Sequence, residues 1–144
     1  MDTRLSSAIH MLVMIAGAES PMSSAEIAES VGTNASHIRK IARLLKGRNL
    51  IEGCQGSKGF VLLVPPEELS LYRVYEAVSD SDGIYVFELH QNPSDRCLVG
   101  CHIKSVLTRV FRGIDEAAER ELKATTLADC MKKLKIEIER EEQA

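Results

Sequence analysis

The chain has 144 residues, 44% of them hydrophobic, with 18 Lys/Arg, 21 Asp/Glu and a formal net charge of -3. That length supports one core with an appended helix and argues against two independently stabilised domains of ordinary size. No apolar run is long enough to span a bilayer, and the N-terminus lacks the basic-then-apolar order and small-residue cleavage site of a signal peptide, so a cytoplasmic protein without a membrane partner is expected.

The charge is unevenly spread. Residues 1–64 carry seven Lys/Arg and five Asp/Glu, a balance of +2, whereas residues 65–144 carry eleven and sixteen, a balance of -5. The total argues weakly against nucleic acid, but the distribution favours the first half as a nucleic-acid face.

From Leu5 to Ala18 the residues Leu5, Ala8, Ile9, Leu12, Val13, Ile15 and Ala16 recur at helical spacing, and Gly17 and Ser20-Pro21 end the run. This helix should brace the two that follow. Ser23, three residues before Glu26, offers a capping box to a helix carrying Ile27, Ala28 and Val31. Gly32 turns the chain, and Thr33 or Asn34 can cap a second helix whose buried stripe is Ile38, Ile41, Ala42 and Leu45.

The other face of that second helix carries Ser36, His37, Arg39, Lys40 and Arg43. Short polar groups near a helix start can meet base edges in a major groove, while the cations meet phosphates. An exposed basic face alone is what any surface helix shows. Here the context decides, because β-prone residues around Leu50-Ile51 and from Phe60 to Val64 flank the glycine-rich loop 53–59. Two short helices followed by such a ribbon read as a winged helix-turn-helix. The candidate DNA contacts are Ser24, Thr33, Asn34, Ser36, His37, Arg39, Lys40 and Arg43, with Gln55, Ser57 and Lys58 at the wing tip.

Pro65-Pro66 stops the last strand, and Ser70 can cap a helix of Leu71, Val74, Tyr75 and Val78, expected to pack under the wing. A turn at 79–83 leads to a short β-prone piece, Ile84 to Leu89, and then to a loop ending at Cys97. From about Val99 to Ala124 a long helix is expected. Its apolar stripe includes Ile103, Val106, Leu107, Val110, Phe111 and Ile114, too long for a small head to cover. A second copy of the chain is the simplest cover, which makes these the candidate dimerisation residues. Thr126 and Asp129 resemble a capping box for a last helix with Leu127, Met131, Leu134 and Ile138, beyond which the Glu-rich tail should fray.

The expected fold is mainly α with a small β-wing. Residues 1–80 form the winged head, 81–101 a linker with a cysteine-bearing loop, and 102–144 the dimerisation helices. No phosphate loop follows a strand, no nucleophile elbow occurs and no histidine pair sits at metal-binding spacing on a helix, so no catalytic residue is assigned. The leading function is therefore a homodimer that binds a double-stranded DNA operator. The rival is a winged-helix module that docks a different protein on the long stripe.

Taken together, several segments resemble the BadM/Rrf-two family of bacterial transcription regulators. They are the opening helix, Ser24-x-x-Ile27-Ala28, the second helix with Ile38 and Leu44-Leu45, the glycines before Phe60, the loop Asp95-Arg96-Cys97-Leu98-Val99-Gly100 and the late Thr125 to Asp129. The order covers nearly the whole chain, with one departure, a single Gly59 before the aromatic where a pair is usual. The resemblance implies a homodimer held by the long helix, binding a near-palindromic operator with one wing and one recognition helix per half-site; of the two possible outputs, repression is the one the polar face and ribbon favour. Cluster-binding members have three cysteines in and before the loop. This chain has Cys97 at the last of those positions, lacks the other two, and continues with Cys101 and His102.

Near a helix N-terminus, that spacing leaves four readings open: a thiol switch, a metal site completed by His90 or His102, a cluster shared across a dimer, or two plain reduced thiols. Cys97, Cys101 and His102 are thus the candidate sensing residues. No cofactor is expected, with an iron-sulfur cluster or zinc as the weaker alternative. Cys54 and Cys130 lack cysteine or histidine neighbours, and Cys130 reads as core.

Overall fold

A computed structural model describes residues 2–54, 56 and 59–144. Gln55, Ser57 and Lys58, the wing-tip candidates, lie outside the described residues. The described elements are α1 (Arg4–Gly17), β1 (Met22–Ser23), α2 (Ser24–Val31), α3 (Ala35–Gly47), β2 (Ile51–Gly53), β3 (Gly59–Leu62), α4 (Leu71–Val78), α5 (Leu98–Ala124) and α6 (Leu127–Glu142). They divide into two compact units, one of residues 1–80 with 123–144 and one of residues 81–122.

The caps of the first unit follow from sequence. Ser23 Oγ accepts the Glu26 N–H at 3.2 Å, and the Glu26 carboxylate answers to the Ser23 backbone, closing a capping box at the start of α2. Gly32 ends α2 with φ +83°, a left-handed geometry that a Cβ disfavours, and its N–H donates to the Ala28 carbonyl. Asn34 Oδ1 then accepts the His37 N–H at 2.8 Å and starts α3. Ser70 caps α4 in the same way, accepting from Arg73.

The three strands run in the order β1-β3-β2, all antiparallel, with Met22 opposite Phe60 and Ile51 opposite Leu62. β1 is absent from the sequence reading, because two residues after a proline carry no alternation to detect. It requires Gly59, where a Cβ would sit 2.6 Å from Pro21 Cβ. The core joins Ala8, Met11 and Leu12 of α1, Ile27 of α2, Ile38, Ile41 and Leu45 of α3, Leu50, Ile51 and Phe60 of the ribbon, Leu69, and Val74 of α4. Full burial of each large aliphatic contributes about 1.5–3 kcal/mol. α4 packs chiefly against α1 and α3 rather than under the wing. The apolar faces of those two helices leave a groove that Val74, Ala77 and Val78 fill.

α6 also belongs to this unit. Leu127 is fully buried, and its N–H donates to the Leu69 carbonyl at 2.8 Å while Leu71 N–H donates to Thr125 at 2.9 Å. Ser70 and Thr126 thereby form an antiparallel bridge. Residues 123–144 thus pack with the head, whereas the sequence reading groups all of 102–144 together. The acidic tail does not fray as expected: α6 continues to Glu142, begun by a complete Thr126–Asp129 capping box and supported near its end by an Arg140–Glu137 pair at 3.3 Å.

The second unit contains the connecting segment and most of α5. Ile84 to Leu89 is not a strand, since no described neighbour offers its backbone a ladder. The segment is instead pinned by side chains: Val86 N–H donates to the Asp115 carboxylate at 2.8 Å, and Phe87 meets Phe111 with ring centroids 5.6 Å apart. α5 runs for 27 residues, about 40 Å at 1.5 Å per residue, and buries no residue. Val106, Val110 and Ile114 on its apolar face are 45%, 50% and 36% exposed.

Candidate nucleic-acid interface

The core stripe of α3 turns Ser36, Arg39, Lys40 and Arg43 to solvent, with His37 half-buried at the edge. No described ion pair engages Arg39, Lys40 or Arg43. Long cationic side chains held this way keep their donors available to an anion at little desolvation cost.

Two concavities share the candidate residues. One, of about 420 Å³, lies between α3, the start of α2 and the ribbon, and is lined by Ser24, Arg39, Arg43, Lys46, Cys54 and Phe60 among others. The other, of about 540 Å³, surrounds the start of α3 and is lined by Thr33, Asn34, Ser36, His37 and Lys40. The eight candidates that are described thus fall into two groups, one around the start of α3 and one between α3, Ser24 of α2 and the ribbon. Asn34 carries a structural duty as well, since its side-chain oxygen is engaged by the cap.

The first groove carries three cations and no carboxylate among its lining residues. Its third cation, Lys46, is not among the candidate contacts expected from the sequence, nor are Cys54 and Phe60. Lys46 Nζ stands 5.0 Å from the centroid of the Phe60 ring, a cation–π contact that bridges α3 to β3. The signal for Lys46 was present, because it follows Arg43 by three residues and Arg39 by seven and so extends the same helical row. Nothing in the spacing signals Cys54, which sits half-buried at the end of β2.

The cysteine loop lies in the second unit. Cys97 is exposed immediately before α5, where the N–H groups of Gly100 and then Val99 hold its thiol below the ordinary value. Cys101, also exposed, directs its thiol to the Asp95 carbonyl at 2.8 Å, and His102 Nδ1 lies 2.8 Å from the Leu98 carbonyl. These side chains answer to backbone and do not converge. Among the described residues no three His, Cys, Asp or Glu groups come together to hold a metal. A thiolate-rich iron site needs such convergence, so within one chain the donor set does not fit iron or a cluster. Elsewhere, His10 Nε2 pairs with Ser30 Oγ at 2.9 Å.

Residues 1–133 match the model of the Rrf2 family, described as an iron-dependent transcriptional regulator. YwnA of Bacillus subtilis (strain 168), provisionally named an HTH-type transcriptional regulator, is 36% identical over 134 residues, covering 93% of this chain and 98% of that protein. A crystal structure provisionally named as a DNA-binding protein is 34% identical with a TM-score of 0.70, over 89% of this chain and 98% of its own. CymR, the global cysteine regulator of B. subtilis, shares the fold at 19% identity with a TM-score of 0.68, over 92% and 95%.

Proposed function

The chain belongs to the Rrf2 family of transcriptional regulators, and on that premise we propose that it represses transcription as a homodimer, each copy reading one half-site through α3 and the wing. It is a DNA-binding transcription regulator, and its family and relatives are not enzymes. The observation that carries the finer reading is the groove between α3 and the ribbon, with Arg39, Arg43 and Lys46 along it and no acid among its lining residues.

Arg39 is the residue we assign to a base edge, because a guanidinium fork can meet guanine O6 and N7 together. Lys40, Arg43 and Lys46 suit phosphates, and Ser24 stands at the α2 N-terminus, where backbone N–H groups favour an anion. Ser36 and His37 adjoin Arg39 on the reading face, Thr33 and Asn34 flank the helix start, and Gln55, Ser57 and Lys58 are the proposed wing contacts. Residues 1–80 form the reading head, and α5 the pairing element, through Ile103, Val106, Leu107, Val110 and Ile114, while Phe111, expected on the same stripe, meets Phe87 within the chain. The protein acts in the cytoplasm. A thiol signal would run through Cys97, the exposed cysteine whose thiol is held low.

Footprinting around the protein's own gene supplies an operator, and affinity is then compared for the wild type, Arg39→Ala and Arg43→Ala. Arg39→Ala should cost about 1–3 kcal/mol and relax preference at one base pair, whereas Arg43→Ala should weaken binding across sequences. Unaltered operator affinity in both variants overturns the assignment.

A further inference from the structure

We propose that the concavity within the second unit, between the 83–89 segment and one face of α5, is a binding site for an amphipathic organic monocation. It encloses about 480 Å³, within the range of small-molecule sites. Tyr85, Phe87 and Phe111 line it with aromatic surface, and Asp115, Glu116 and Glu119 stand against a single lining cation, Arg112. Tyr85 is 63% exposed and Phe87 55%, so rings that could have been folded away remain presented.

The arrangement is held, not collapsed. Asp115 fixes the segment by accepting Val86 N–H, Tyr85 donates its hydroxyl to Asp82 at 3.1 Å, and Phe87 rests at a tilt of 50° against Phe111. Ring faces attract a cation, and nearby carboxylates strengthen that preference while repelling anions. A neutral apolar molecule would gain only the contact area. The chemistry therefore selects a bulky cation with an apolar body.

This face is distinct from the row of Val106, Val110 and Ile114, and Phe111, read from the sequence as part of the apolar stripe, belongs to it. Thr108, Phe111, Asp115 and Glu119 follow one another by threes and fours along one side of α5, and Val106, Val110 and Ile114 along another. Occupancy and pairing through the stripe are thus compatible. The proposal goes beyond the DNA-binding reading and does not need it, because binding is measured without DNA.

Titration calorimetry of the full chain with tetraphenylphosphonium tests it, with tetraphenylborate as the probe of like shape and opposite charge. Saturable binding at one site per chain is expected, absent for the borate, and weakened about tenfold or more in both Glu116→Gln/Glu119→Gln and Phe87→Ala. Phe87→Ala alters an exposed side chain and keeps the test open should the double variant fail to fold. No saturable binding, as when a second copy fills the site, overturns the proposal. So does equal binding of the borate, or indifference to both variants.

Discussion

Cys97 stands where a helix leaves backbone N–H groups without partners, and its sulfur takes the place of a capping oxygen. Donation from Gly100 and Val99 favours the thiolate, so the folded chain holds this thiol below its ordinary value. The sign follows directly. Stabilisation of the helix start by the thiolate is present above the unfolded thiol's pKa and is lost as pH falls through the lower folded value. Alkylation by iodoacetamide, followed at Cys97 by mass spectrometry across pH, should reach half its maximal rate at a lower pH in the folded protein than in urea; coincident midpoints would contradict the cap. At this scale the sequence was legible for charge and caps, since Arg39, Arg43, Asn34 and Ser23 stand where spacing puts them. It was illegible for Cys54 and Phe60, which reach the groove only because a ribbon folds back over α3.

Among elements, α6 has the clearest dependence on one side chain. Leu127 is fully buried, so Leu127→Ala should destabilise the protein by about 2–5 kcal/mol, read as a lower urea midpoint with nearly unchanged slope. At the start of α6, Asp129 is held below the usual carboxylate range, first by Thr126 N–H and then by the Thr126 hydroxyl. A depressed folded pKa means its contribution is present above the ordinary carboxylate value and lost as pH falls through the folded one. Thr126→Ala should therefore lower the thermal midpoint at neutral pH, by a margin that narrows in acid. The helices were legible because α2, α3, α4 and α6 each start on a side-chain cap, and α1 and α5 carry long 3.6-residue stripes. β1 was not, since its pairing depends on the missing side chain at Gly59. Nor was the irregular 84–89 segment, whose β-prone residues are held by Asp115 and Phe111 of a distant helix.

For the whole molecule, an α5 with no fully buried residue, and with Val106, Val110 and Ile114 exposed, needs another surface to cover that face. Sedimentation should give a stable dimer, and Val110→Glu should convert it to monomer with the head still folded. A wild-type monomer would favour the protein-docking alternative instead. The bridge between Ser70 and Thr126 has a consequence for biosynthesis. Because the socket beside Leu69 is filled by Leu127, the head is completed only when nearly the entire chain has left the ribosome. A product cut short before that leucine keeps Arg39 and Arg43 but lacks a closing piece of its core. Such a fragment should be less stable than the finished chain and more open to proteolysis.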